Sequence, residues 1–101
     1  MRFLCIGDHD TVMGFRFAGV EGVVVEGPTE AREEFRKAAR LEDVGVLIIP
    51  DPIAGHLRDE IQEVRFSRAR PAVVEIPGPE GRRPGRPRLI DLIREAIGVR
   101  V

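Results

Sequence analysis

Three aspartates follow predicted strands, and together they could bind a cation. Asp8 and Asp10 come directly after the apolar segment 2–6, and Asp51 follows the apolar run 44–49. Ligands of an open α/β sheet bind beyond the carboxyl ends of the strands, so we expect these carboxylates near one another. Carboxylate oxygens are the ligands that Mg²⁺ prefers. One interpretation is therefore a Mg²⁺ site at which Asp51 accepts a phosphoryl group.

This arrangement resembles that of a response-regulator receiver, but two features argue against it. Receivers need a lysine near the carboxylates, and the only lysine here, Lys37, lies in a different predicted helix. Pro52 removes the main-chain amide that a phosphoryl oxygen would bind after Asp51. Asp8 and Asp10 are also good N-cap residues. The receiver-like phosphoacceptor therefore stays an alternative to a capped helix followed by a proline-framed turn.

Other catalytic and cofactor-binding motifs are missing from the sequence. Gly7 and Gly14 do not form the G-x-G-x-x-G pattern of dinucleotide-binding proteins, and no glycine-rich loop ends in Gly-Lys-Ser/Thr. His9 and His56 have no matched nucleophile, because Cys5 lies inside a predicted strand. We therefore expect no catalytic residue, no metal and no cofactor. A free-standing module that binds a nucleotide at the strand ends is a further alternative.

The composition is that of one soluble globular domain. The 101 residues are 43% hydrophobic and 33% charged, and the net charge of −1 gives no general attraction to nucleic acid or to an anionic membrane. The longest apolar run, 44–49, is far shorter than the roughly 18 residues of a membrane-spanning helix. One cysteine and no signal-like segment indicate a cytoplasmic protein without direct membrane insertion.

Strands and helices are predicted to alternate along residues 1–76. Apolar segments at 2–6, 22–26, 44–49 and 72–76 predict four strands, and the run 44–49 predicts a central strand covered on both faces. Thr29 is expected to cap the second helix, and Ile53, Leu57, Ile61 and Val64 mark the third. This βαβαβαβ order predicts a doubly wound, receiver-like α/β fold with a small four-stranded parallel sheet and flanking helices.

The remaining residues predict a tether and a terminal helix. Residues 77–87 contain four of the eight prolines, which predicts an extended linker. Residues 88–101 contain a helical pattern whose apolar positions fill an arc of about 160°. This helix either covers its own sheet or docks on another chain, and the long tether favours docking. The apolar positions are Leu89, Ile90, Leu92, Ile93 and Ile97.

The arginines of the tether allow two kinds of partner. Arg82, Arg83, Arg86 and Arg88 could contact phosphates, but no aromatic residue lies among them to stack on a base. An acidic protein surface therefore suits this segment better than nucleic acid.

Several segments together resemble one protein family. Residues 7–22 read GDHDTVMGFRFAGVEG, which closely resembles the G-D-x-D-T-V-x-G-F-R-L-A-G-V stretch of the F subunit of archaeal and vacuolar-type (V/A-type) rotary ATPases. Residues 75–79 match the family's E-I-P-G-P, and residues 43–54 and 89–98 also fit its pattern. Pro50-Asp51 departs from the Thr-Glu that the family often has at this turn, and the tether is richer in arginine than usual.

The resemblance implies a non-catalytic component of the central rotor stalk. Such a component binds the coiled coil of the stalk's D subunit and turns inside the catalytic A/B hexamer, where ATP is made or hydrolysed. Its rotation is coupled to ion movement through the membrane ring, and the resemblance implies the rotor subunit at that ring as a further partner. It also implies a four-stranded parallel sheet with flanking helices and a C-terminal helix. The protein is expected to be cytoplasmic and peripheral to the membrane as part of the complex.

We assign the contact with the partner to the C-terminal helix. Glu75, Pro77 and Pro79 are expected to set the angle at which the tether leaves the sheet. A mobile helix would allow the chain to regulate ATP hydrolysis. The expected partner-binding residues of the helix are Arg88, Leu89, Ile90, Leu92, Ile93, Arg94 and Ile97.

Overall fold

The computed structural model describes residues 1–67 and 71–78 of the chain. These residues form a four-stranded, all-parallel sheet flanked by helices, which confirms the predicted α/β fold. The strands are β1 (Arg2–Gly7), β2 (Glu21–Val24), β3 (Val44–Pro50) and β4 (Ala72–Ile76). The helices are α1 (His9–Phe17), α2 (Pro28–Ala39), α3 (Asp51–Ala54) and α4 (Arg58–Ser67), and a 3-10 turn, Gly55–Leu57, joins the last two.

β3 is a central strand, as its uninterrupted apolar sequence predicts. The strand order is β2-β1-β3-β4, so β3 pairs with β1 on one side and with β4 on the other. Leu47, Ile48 and Ile49 have no exposed surface, because successive side chains point to opposite faces and both faces are covered.

The helices divide between the two faces of the sheet. α2, α3 and α4 bury Phe35, Ala54 and Ile61 on one face, together with Leu47 and Ile49 of β3. α1 buries Val12 and Phe15 on the other face, against Cys5 and Ile48. Connections to β3 and β4 run in one direction and the connection to β2 runs in the other, so right-handed crossovers require this division.

Two helix boundaries follow from local chemistry. Asp8 is the N-cap of α1, and Gly19 follows the end of that helix with φ of +87°, a conformation that glycine adopts without steric cost. The prediction that Thr29 caps α2 is wrong. Extended Gly27 occupies the N-cap position and Pro28 begins the helix, because proline fits the first turn, where its missing N–H is not needed.

The predicted third helix is divided into segments. Ile53 lies in α3, Leu57 in the 3-10 turn, and Ile61 and Val64 in α4, and all four side chains pack toward the same core. The apolar spacing therefore identifies the buried side of this region correctly, although the backbone changes its helical form at Gly55–Leu57.

Candidate functional site

Proline rings pack closely on the main chain at the carboxyl ends of the strands, beside the place where a doubly wound sheet binds its ligands. This place lies between the carboxyl ends of β1 and β3, where the direction of the crossovers reverses. A β-carbon added to Gly7 would stand 2.9 Å from Pro50 Cδ, and one added to Gly78 would stand 3.0 Å from Pro52 Cδ. The two glycines thus let two proline rings pack directly against the main chain at the ends of β1 and β4.

The three aspartates at this edge do not form a metal site. The Asp8 carboxylate accepts hydrogen bonds from the Thr11 N–H (3.1 Å) and the Thr11 Oγ1 (2.7 Å), so it is used by the start of α1. Asp10 and Asp51 are exposed. Residues 1–67 and 71–78 contain no group of three His, Cys, Asp or Glu side chains that could hold a metal ion. The predicted convergence of the three aspartates is therefore wrong, and the receiver-like alternative loses the cluster of carboxylates on which it depends.

The thiol and the imidazole near this edge are not arranged for nucleophilic catalysis. Cys5 has no exposed surface, and burial, with a smaller contribution from the charge of Asp8, raises the pKa of its thiol to about 12. The thiolate that nucleophilic catalysis needs is thus scarce at neutral pH. His9 is exposed, and its Nδ1 lies 3.5 Å from Asp10 Oδ1.

A groove of about 300 Å³ separates α2 from α4. Its floor includes Phe35 and Val64, and its rim carries charges of both signs. Glu60 Oε2 lies 3.3 Å from Arg36 Nη2 and 3.8 Å from Arg32 Nε, so ion pairs join the two helices across the groove. These contacts hold α2 and α4 together.

Glu75, a predicted site residue, lies at the centre of an ion-pair cluster. Its Oε2 is 3.1 Å from Arg58 Nη1 and 3.5 Å from Arg65 Nη1, and Arg65 Nη2 also donates to Val73 O at 2.9 Å. The cluster therefore fastens α4 to β4 just before the chain leaves the sheet. Sequence reasoning missed both arginines, because no local spacing relates them to a glutamate 17 and 10 positions away.

The end of the described chain is well packed, and the rest of the predicted partner site lies beyond it. Pro77 is half-buried, and Gly78 is buried against Pro52. Pro79 and the C-terminal helix fall outside the described residues, as do all but the first two residues of the predicted tether. Their role in partner binding stays a prediction.

Two large apolar side chains are exposed just before β2 and β4, at the end of the sheet opposite the carboxyl ends of the strands. Phe17 ends α1 just before β2 and is 89% exposed, and Phe66, near the end of α4, is 87% exposed. Neither exposed phenylalanine was singled out as a surface residue from the sequence. No helix among the described residues has the length and apolar character needed to cross a bilayer.

Comparison with known proteins identifies the family. The family model for the ATP synthase (F/14-kDa) subunit matches residues 4–97. The chain is 44% identical over 98 residues to the A-type ATP synthase F subunit of Methanothermobacter thermautotrophicus, covering 93% of this chain and 90% of that protein. It is 35% identical to the A-type ATP synthase F subunit of Pyrococcus furiosus over 104 residues, covering 98% and 96% of the two chains.

A solved structure agrees with these sequence relationships. The crystal structure of the V-type ATP synthase F subunit from Archaeoglobus fulgidus superposes with a TM-score of 0.63 at 26% identity, covering 74% of this chain and 95% of that one. The fold, the matched residues and the sequence relatives agree with the resemblance of the GFRFAGV and EIPGP segments. The chain therefore belongs to the family of F subunits of A/V-type ATP synthases.

Proposed function

We propose that this chain is a non-catalytic rotor component in the central stalk of an A/V-type ATP synthase. The observation that carries the proposal is the membership of the chain in the F-subunit family, with which its fold agrees. The close packing of Pro50 on Gly7 and of Pro52 on Gly78 supports it, because it joins the strand ends tightly. A rotor component that transmits torque needs a stiff body, and close-packed interiors deform little. ATP is then made or hydrolysed at the A/B subunits, and this chain helps to couple that reaction to ion movement.

The attachment to the rotor shaft is assigned to the C-terminal helix. Its apolar arc would lie against the coiled coil of the stalk's D subunit, with Arg88 and Arg94 at the rim. The ion pairs of Glu75 and the packing of Gly78 on Pro52 support this role, because they give the tether a fixed starting point. The sheet domain and the helix would then move as one body with the shaft, peripheral to the membrane on its cytoplasmic side.

A regulatory position of the helix is the second part of the proposal. Among the described helices only α1 lies on the face of the sheet that carries Cys5 and Ile48. Half-buried Phe3, Val46 and Val74 belong to the same face. An apolar sheet face has to be covered by another element. The C-terminal helix can serve there, and it would modulate ATP hydrolysis when it leaves the sheet and extends toward the A/B subunits.

The shaft contact is tested by charge substitutions on the apolar side of the helix. Leu92→Glu and Ile93→Glu are expected to weaken binding to the purified D subunit at least about tenfold, because a buried carboxylate costs more than the lost apolar contact. Glu95→Ala, on the polar side, is the matched control and should bind as the unchanged chain does. Binding is measured by titration calorimetry, and thermal unfolding checks that the sheet domain stays folded.

Undiminished binding by both glutamate variants would overturn the assignment of the contact.

The regulatory part is tested separately by a disulfide that joins the helix to the sheet. Cysteines along residues 88–97 are paired in turn with one at exposed Ala72, in a chain that carries Cys5→Ala. We expect the oxidised complex to lose the regulation of ATP hydrolysis and to regain it on reduction; regulation that is indifferent to the crosslink contradicts the mobile helix.

A further inference from the structure

The main chain of each of the two outermost strands accepts a hydrogen bond from an arginine of a neighbouring helix. β2 and β4 form the edges of the sheet. Arg16 Nη2 donates a hydrogen bond to Gly22 O of β2 at 3.3 Å, and Arg65 Nη2 donates to Val73 O of β4 at 2.9 Å. Each arginine lies in the last turn of the helix that leads into the strand it contacts.

The contact on β2 lies on the open side of that strand. The N–H of Val25 donates to Gly7 O of β1 at 3.0 Å, and alternate residues of a parallel strand direct their main-chain groups to opposite sides. Gly22 and Glu26 therefore direct theirs away from β1. The N–H of Glu26 is also occupied, because it donates to Glu30 Oε1 at 2.8 Å. An acceptor at one end of this edge and a donor at the other are thus bound by side chains.

The open side of β4 is protected more completely. The same alternation places Pro71, Glu75 and Pro77 on the side of Val73, and the two prolines have no N–H to offer a neighbouring strand. The Arg65 guanidinium is held in place by its second contact, at 3.5 Å, with the Glu75 carboxylate. A second strand would have to displace this guanidinium to reach Val73 O.

We propose that Arg16 and Arg65 close the two edges of the sheet against strand addition by a second copy of this chain. Unpaired N–H and C=O groups on an edge strand are a template for pairing with another chain, and in a preparation of this protein that chain is a second copy. Each guanidinium occupies an outward-facing acceptor and places a charge where the added strand would lie. The chain thereby keeps its sheet to four strands, independently of how it binds the rotor.

The test compares Arg16→Ala, Arg65→Ala and the double variant with the unchanged chain by sedimentation equilibrium. Arg36→Ala is the matched control, since Arg36 pairs with Glu60 of α4. We expect the unchanged chain and the control to remain at the 11.3 kDa of one copy. The double variant should self-associate at concentrations about tenfold below those that the unchanged chain would need. This is the effect of losing a charged hydrogen bond that competes with pairing.

Hydrogen exchange identifies the kind of association. If strands have paired, the outward N–H groups of Val24 and Val73 will exchange more slowly in the associated double variant than in the unchanged chain. Folded variants that stay monomeric at the concentrations of the control overturn the proposal, and so does association without slower exchange at these amides. If Arg65→Ala does not fold, Arg16→Ala alone decides the outcome at the β2 edge. Arg65→Lys keeps a charge at the β4 edge, and the chain carrying it should remain monomeric.

Discussion

Gly7 and Pro50 are so close that a β-carbon on Gly7 would stand 2.9 Å from Pro50 Cδ and 3.0 Å from Pro50 Cγ. The contact joins the ends of β1 and β3, the two strands between which related folds bind their ligands. A glycine at this position is required by the proline ring beside it. At this point, where other doubly wound proteins bind ligands, the ends of β1 and β3 are in direct contact through this glycine and this proline.

Gly7→Ala should destabilise the fold because the added methyl group forces the Pro50 ring to shift. We expect the free energy of unfolding to fall by about 1–3 kcal/mol, measured by chemical denaturation. Gly55→Ala is the control, since Gly55 has φ of −59° and nothing lies within 4 Å of its added β-carbon. That variant should be unchanged or up to about 1 kcal/mol more stable. Equal effects of the two alanines would contradict the packing argument.

Asp8→Ala should act as the loss of a helix cap. The Asp8 carboxylate accepts from the N–H and the hydroxyl of Thr11, so its removal is expected to cost about 0.5–2 kcal/mol of stability. Asp8→Asn, which keeps an acceptor, should lose less. Addition of Mg²⁺ should leave the thermal unfolding midpoint of the unchanged chain in place. A midpoint that rises with Mg²⁺, and does so only while Asp8 is present, would restore the metal-site interpretation.

Glu75→Gln should loosen α4 from β4. The glutamate side chain is only 18% exposed and contacts two arginines that are about half exposed, so we expect a loss of about 1 kcal/mol. The difference from the unchanged chain should shrink in 1 M salt, because salt screens the ion pairs. Glu34→Gln, which breaks the i,i+3 pair with Lys37 within α2 and joins no strand to a helix through that pair, is the control. A loss that does not depend on salt would mean that packing, and not charge, is responsible.

The buried thiol of Cys5 should make stability fall at high pH. Its pKa is raised to about 12 in the folded chain, against an ordinary value of 9.0, so the unfolded chain loses this proton first as the pH rises. The thiol's contribution is therefore fully present below pH 9 and is lost between pH 9 and about 12, at roughly 1.4 kcal/mol per pH unit.

Cys5→Ala removes this titration, so the difference between the two unfolding curves isolates it. The chain contains no tyrosine, which would otherwise titrate in the same range. Urea unfolding at several pH values provides the measurement. Parallel pH profiles for the two proteins would show that the thiol ionises as easily in the folded chain as in the unfolded one.

Local patterns were sufficient for the order of the strands along the chain and for the start of α1. The apolar run of β3 predicts a strand covered on both faces, and Leu47 and Ile48 are fully buried there. Asp8 caps α1 as its residue type allows. Thr29 is equally suitable in type, but Pro28 one position earlier begins α2 and displaces the cap to Gly27. A competition of this kind between neighbouring residues is settled by backbone geometry, which residue type alone does not specify.

The sequence by itself determined the family, the alternation of strands and helices, and the apolar character of the C-terminal segment, because these depend on residue types and on short spacings. Only the tertiary structure decided which residues pack at the carboxyl ends of the strands and which side chains bind the main chain of the edge strands. The proline packing on Gly7, the pairing of Glu75 with Arg58 and Arg65, and the arginine on each edge strand join residues that are far apart in the chain. Such contacts depend on strand order and crossover direction, which place side chains together without leaving a periodic signal in the sequence.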